Sequence, residues 1–207
     1  MEQFSLAALV GYILGSIPTA YLLVRWKSQL DIRTAGSGNV GTVNSYEVTK
    51  SGLLAGVVLL VDFAKDAAAV AVVRTLFTAG PDPGCWGALG AVVGHNYPVW
   101  LRGKGGRGLA TAAGGALLTF WGLIPAWLTS WAVAFAVLRQ VNPASAVACV
   151  LTITTVLASP TLLPGSHQVG ALTPGLYTAL LMMIILLRLV DPVRSYLVEL
   201  KRERSSR

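Results

Sequence analysis

Charge is what this sequence has least of. Only 12% of its 207 residues are Asp, Glu, Lys or Arg, about half of the roughly 25% usual in soluble globular chains. The water-facing surface of a folded chain this long needs far more, so a soluble enzyme and a disordered chain are both excluded. Cysteine is nearly absent as well. Cys85 and Cys149 stand alone in apolar stretches, which leaves no disulfide framework and no zinc pattern, and no metal site is expected. What the chain has in place of charge is apolar surface: 54% hydrophobic residues and a mean hydropathy of +0.64. A net charge of +7 in that setting points to a membrane protein with basic loops, not to nucleic-acid binding.

Charge-free runs locate the membrane segments. They cover 22 residues at 3–24, 19 at 83–101, 31 at 108–138 and 48 at 140–187. One spanning helix needs about 20 apolar residues, so the longest run holds two spans, with Pro160, Pro164, Gly165, Gly170 and Pro174 marking the loop between them. Gly122 and Pro125 favour a hairpin of two short helices in the 31-residue run, with a single tilted helix as the alternative. The segment 53–77 is apolar apart from Asp62, Lys65, Asp66 and Arg74. The expectation is an all-α integral membrane fold in one domain. Its seven spans fall at 4–24, 53–77, 84–101, 108–121, 123–138, 143–160 and 173–188, followed by a basic tail over about 189–207.

With the N-terminus outside, 14 of the 16 Lys and Arg residues fall in the four segments that face the cytoplasm, as the positive-inside rule requires. Asp82 and His167 then lie on the opposite side, and the first helix is a retained span.

Two of those segments carry the chemistry. Loop one contains Gly36, Ser37, Gly38, Asn39, Gly41, Thr42 and Asn44. Glycine amides, a hydroxyl and amide side chains of this kind can gather around an anion, though the same residue types also make ordinary turns. Loop two, Arg102 to Gly108, places four glycines and three cations (Arg102, Lys104 and Arg107) in seven residues, directly before a helix beginning near Leu109 and Thr111. Glycines, mobile cations and a helix N-terminus together make a phosphate cradle. An anchor of positive charge would need no glycines. The GxxxxGK[ST] spacing is absent, so nucleotide hydrolysis is not indicated.

Inside the membrane, Asp62 and Lys65 are spaced to pair on one helix face, with Asp66 one turn from Asp62. Ionisable groups at that depth are either functional or an internal pair that fixes helix packing. His95, near loop two, can be read as a general base, a phosphate ligand or a helix-end hydrogen-bond partner. His167 receives no role.

The strings Gly15-Ser-Ile-Pro-Thr-Ala-Tyr21, Gly36-Ser-Gly-Asn-Val-Gly41 with Asn44, Asp62-x-x-Lys65, and Gly94-His-x-x-Pro98 through Lys104-Gly-Gly-x-Gly-x-Ala-Thr111 occur in this order. Together, over about residues 11–115, they resemble the bacterial acyl-phosphate-dependent glycerol-3-phosphate acyltransferases. The resemblance implies seven transmembrane helices in the bacterial plasma membrane with the active site on the cytoplasmic side. It implies acyl transfer from acyl phosphate to the 1-hydroxyl of glycerol 3-phosphate, giving lysophosphatidic acid and phosphate. No cofactor is expected, because the acyl phosphate is already activated; the partners are the two substrates and membrane lipid, and no oligomeric state follows. On this basis His95, Ser37 and Lys104 are candidate catalytic residues. Gly36, Ser37, Gly38, Asn39, Asn44, Asp62, Lys65, Lys104, Gly105, Gly106, Arg107, Gly108, Thr111 and Arg194 are candidate substrate-binding residues.

Two positions depart from the family pattern. Glu47 stands where the family usually has an Arg, so Lys50 or Arg33 would have to supply that cation. The C-terminal His-x-x-Asn-x-x-Arg motif reads Arg188-Leu-Val-Asp191-Pro-Val-Arg194 here. A non-catalytic phosphate- or phospholipid-binding membrane protein is the competing expectation. A transporter comes third, because only one helix carries intramembrane charge.

Overall fold

The computed structural model describes residues 2–159 and 161–205. Among them are nine α-helices and no strand: α1 (Glu2–Gly15), α2 (Thr19–Ser28), α3 (Thr42–Thr49), α4 (Gly52–Leu76), α5 (Gly84–Asn96), α6 (Leu109–Thr119), α7 (Leu123–Leu138), α8 (Val141–Ala158) and α9 (Pro174–Ser205). Short 3-10 turns sit at Val99–Leu101 and Ser166–Val169. Three segments are long and apolar enough to cross a membrane: Glu2–Ser28, Val141–Ala158 and Pro174–Arg202. The surface is that of a protein in lipid. Leu53 (82% exposed), Val137 (79%) and Leu60 (67%) stand outward, an arrangement that water would penalise.

Three sequence expectations need correction. The first apolar run is not one helix. It breaks at Ser16–Pro18, because Pro18 has no N–H to donate and disfavours a helical conformation in the residue before it. Helix α3 forms within loop one. The segment expected as 84–101 stops being helical at Asn96, again just before a proline, Pro98. The basic tail is not a separate strand of chain either: α9 runs on through it to Ser205 with Pro192 inside the helix. Other boundaries agree closely; the 108–138 hairpin is two helices, with α7 at 123–138 as expected. Pro160, expected as a loop marker, the Arg204 side chain and Arg207 lie outside the described residues.

Helices α1 and α5 cross along a stripe of small residues. A methyl group at Gly11 or Gly15 would collide with the backbone at Gly87 or Ala91, and one at Gly90 or Gly94 with the backbone at Ala8 or Tyr12. Only glycine permits such an approach, and it gives tight van der Waals packing in lipid, where no hydrophobic drive joins helices. Gly114 of α6 lies equally close to the α4 backbone at Phe63. The tyrosine Tyr12 donates from its hydroxyl to the Tyr97 carbonyl (3.0 Å), and Asn96 Nδ2 donates to the Ile184 carbonyl (3.1 Å). These bonds tie α1 and α9 to the end of α5, where the polar loops converge.

Candidate active site

Loop one is built around Asn44. Its side chain is fully buried; Nδ2 donates to the carbonyls of Ile32, Ala35 and Asn39 (3.2, 3.0 and 2.9 Å), and Oδ1 accepts the Ser37 N–H (2.9 Å). Every polar atom of Asn44 is thus engaged in shaping the loop, which corrects its expected place among ligand-facing residues. Gly36 has φ +58°, and a methyl there would strike Asn44 Oδ1. The loop that results leaves Ser37 exposed, with Asn39 half-buried beside it.

Loop two closes against loop one and against the end of α5. The Val40 N–H points to the Gly105 carbonyl at 3.5 Å, and the Gly106 N–H donates to the His95 carbonyl (3.1 Å). A methyl on Gly105 would collide with the His95 and Asn96 carbonyls, and one on Gly106 with the His95 ring at Nε2. Gly108, at φ +80°, turns the chain into α6, so the unpaired amides of the first turn open beside the loop. Thr111 is on that turn, buried, with its hydroxyl unpartnered. Lys104 stands exposed at the loop's edge and enters no salt bridge among the described residues.

Helix α4 brings its charged triad beneath this floor. Lys65 Nζ lies 2.9 Å from Asp62 Oδ1, 3.0 Å from the Ile17 carbonyl and 3.0 Å from His95 Nδ1. Asp62, Lys65 and His95 line a small buried cavity with Ser16 and Thr19, whose hydroxyls lack partners among the described residues. Asp66 is turned elsewhere, against Gly115 of α6.

Sequence reasoning missed Arg188. Its guanidinium donates from Nε to the Gly106 carbonyl (3.0 Å) and from Nη2 to the Gly105 carbonyl (2.9 Å), and it stacks 5.3 Å from the Tyr97 ring centroid. Because a trans peptide sets C=O and N–H on opposite sides, this grip turns the Arg107 N–H away from α9. Arg188 also lowers the affinity of the neighbouring Arg107 guanidinium for its proton, second to burial, while Glu47 opposes both. The degraded C-terminal motif was the available signal for this residue. Arg194 is not brought to the site: six residues on, it sits about 120° around the helix and about 9 Å farther along it, exposed. Nor can Arg33 stand in for the cation replaced by Glu47. It is bound to Asp31 at 2.6–3.2 Å and stacked on Tyr21, and its hydrogen bond holds the Asp31 carboxyl down at about 2. Lys50 is exposed at the C-terminal cap of α3.

An apolar cleft of about 270 Å³ starts at the same helix end. Leu109, Ala113, Leu123, Trp127, Leu181 and Ile185 are among its walls, and no charged side chain among the described residues lines it.

The sequence profile of the glycerol-3-phosphate acyltransferases matches residues 5–197. A glycerol-3-phosphate acyltransferase of Erythrobacter litoralis is 43% identical over 135 residues, 65% of this chain and 66% of that one. One from Synechococcus sp. (strain JA-3-3Ab) is 41% identical over 177 residues, 83% and 82% of the two chains. With the first of these and that of Myxococcus xanthus (57% of its length), the chain spans less than two thirds of the relative. In three dimensions it is similar to the crystal structure of PlsY (YgiH), an integral membrane glycerol 3-phosphate acyltransferase, in its glycerol 3-phosphate form. The TM-score is 0.77 at 23% identity, covering 95% of this chain and 92% of that one. The lysophosphatidic acid form gives 0.73 at 22% with the same coverage. At that identity the likeness is one of fold.

Proposed function

The chain belongs to the glycerol-3-phosphate acyltransferase family, and from that premise we propose that it transfers a fatty acyl group from acyl phosphate to the 1-hydroxyl of glycerol 3-phosphate. The alcohol oxygen attacks the acyl carbon, the ester bond forms, and the bond from that carbon to the phosphate oxygen breaks. The hydroxyl proton leaves with the released phosphate. Lysophosphatidic acid and inorganic phosphate are the products.

One juxtaposition carries this reading: an exposed lysine in a glycine-walled loop at a helix start, with an apolar cleft opening from the same helix. Cation and amides suit two phosphate-bearing substrates, and the cleft suits an alkyl chain. In our reading the chain is one seven-span domain of the bacterial plasma membrane, N-terminus outside. In that arrangement α1 and α2 form the first span together, α3 lies in a cytoplasmic loop, and loops one and two face the cytoplasm. Cysteine-accessibility labelling tests the topology, which fails if positions 104 and 167 label from the same side.

The function itself is tested with purified protein in lipid, palmitoyl phosphate and labelled glycerol 3-phosphate. Labelled lysophosphatidate is the expected product, formed without ATP and undiminished by EDTA. Bound but unconverted glycerol 3-phosphate would instead establish a non-catalytic binding protein on the same fold.

A further inference from the structure

We propose that His95 is fixed as the Nε2–H tautomer and serves acyl transfer as a hydrogen-bond donor to the oxyanion, never as the base; the proposal rests on the acyltransferase reading above. A lysine ammonium has three protons and no lone pair. Around Lys65 Nζ the fold sets one ion-pair partner, Asp62 Oδ1 at 2.9 Å, and two hydrogen-bond acceptors, the Ile17 carbonyl at 3.0 Å and His95 Nδ1 at 3.0 Å. They come from α4 itself, from the break between α1 and α2, and from α5. One proton goes to the Ile17 carbonyl, Asp62 Oδ1 balances the charge as an ion-pair partner without accepting a hydrogen bond, and another proton is aimed at Nδ1, which must answer with its lone pair. The single N–H of the neutral ring is thereby placed on Nε2. A doubly protonated ring would set an N–H against the ammonium and is excluded by the same contact. Asp62, the one carboxylate paired with Nδ1 among the described residues, stands 3.6 Å from it with Lys65 between them in charge.

The Nε2 edge meets Gly106, where a methyl group would collide with it. The carbonyls of Gly105 and Gly106 are already engaged by Arg188, and no described hydrogen bond ends on Nε2. An N–H donor therefore remains at the wall of the glycine loop, held in place by a buried ion pair. As the alcohol attacks, the acyl carbonyl oxygen gains the negative charge of the tetrahedral adduct and accepts from Nε2–H. When the adduct collapses, the oxygen's electron pair re-forms the carbonyl, the bond from that carbon to the phosphate oxygen breaks, and the phosphate departs with the bond's electrons and the alcohol's proton. A donor preset in this way needs no reorganisation as charge develops. Asp62 and Lys65 are its positioning residues.

The test has a spectroscopic arm and a kinetic arm. Protein labelled with 15N-histidine, carrying His167→Gln so that one histidine remains, is read by NMR in lipid from about pH 6 to about pH 8. The expected signature is a protonated Nε2 and a bare Nδ1 throughout; a proton on Nδ1 overturns the proposal, whether or not the protein turns over substrate. Acyl transfer is first established for the wild type, so that an inactive protein counts against the functional reading alone. Then His95→Gln, which keeps a donor at the Nε2 position, is compared with His95→Asn, which keeps an acceptor for Lys65 but loses the donor. We expect His95→Asn to keep the wild-type melting temperature and lose about a hundredfold or more in kcat with little change in KM. His95→Gln should retain kcat within about tenfold while melting earlier. Equal losses of kcat, or the better kcat in His95→Asn, overturn the donor assignment.

Discussion

The two ends of the α4–α5 hairpin treat their charges in opposite ways. At the end near Leu76 and Gly84, the cation has its anion: Arg74 binds Asp82 through Nε and Nη2 at 2.7–3.1 Å. Asp82 also accepts the Gly84 N–H (2.8 Å), and its carbonyl takes the Ala171 N–H (3.2 Å). At the end near Asn96, loop two presents Lys104 with no salt bridge among the described residues and surrounds it with glycines. Between them lies Lys65, buried and fully engaged. A charge answered within the protein is a fastening. A charge left open beside exposed amides is ready for something that arrives.

The sharpest break in this comparison is made in the middle. Lys65→Met strands the Asp62 carboxylate in the interior and should cost about 3–5 kcal/mol, read as a large fall in melting temperature; the double variant with Asp62→Asn should recover much of it. Next is Arg188→Ala, which releases two carbonyls of the glycine loop and should lower kcat/KM about a hundredfold, with Arg188→Lys restoring little because an ammonium cannot fork to both. Lys104→Ala should weaken use of glycerol 3-phosphate about tenfold to a hundredfold, and Lys104→Arg should be tolerated only in part. At the fastened end, Arg74→Ala should cost about 1 kcal/mol and leave kinetics alone. Burial pushes the Asp82 carboxyl up, but the bonds from Arg74 and Gly84 outweigh it and hold it below the usual carboxylate range. Its folded value therefore lies under its unfolded one. The fastening is intact at neutral pH and fades only as pH falls through that lowered value, so melting curves near pH 5 and pH 8 should show no loss from this pair. The smallest effect belongs to Lys201→Ala on the far turns of α9, where kinetics should stay unchanged. If it matches Lys104→Ala, loop two is an anchor.

Much of this was legible in the residues. Runs without charge announced the apolar helices, and the glycine–cation spacing marked loop two, because both signals are local. The break at Ser16–Pro18 was legible in principle, since Pro18 carries the rule that produces it, but the apolar run around it concealed the interruption. Asn44 illustrates the opposite failure. An asparagine among glycines looks like a ligand donor, and only the folded loop shows its amide turned inward on three carbonyls. The degraded C-terminal motif pointed to Arg188 but not to its partners, which lie more than eighty residues away and are backbone atoms, which leave no trace in residue identity. The Lys65–His95 contact is equally remote; spacing exposed the i,i+3 partner and was silent about the other two acceptors.

The glycine stripe between α1 and α5 also decides what can move. Two backbones in direct contact along four glycines have no side chains between them to slide or repack, so the pair behaves as a single stiff plate. Ile17, just past the end of α1, and His95, near the end of α5, are therefore expected to keep their separation. Under the proposed function, an opening for a lipid-borne acyl donor is expected at the far wall, where α6, α7 and α9 surround the apolar cleft with larger, more compliant side chains. Amide exchange should be slowest along the α1–α5 plate and fastest around that wall.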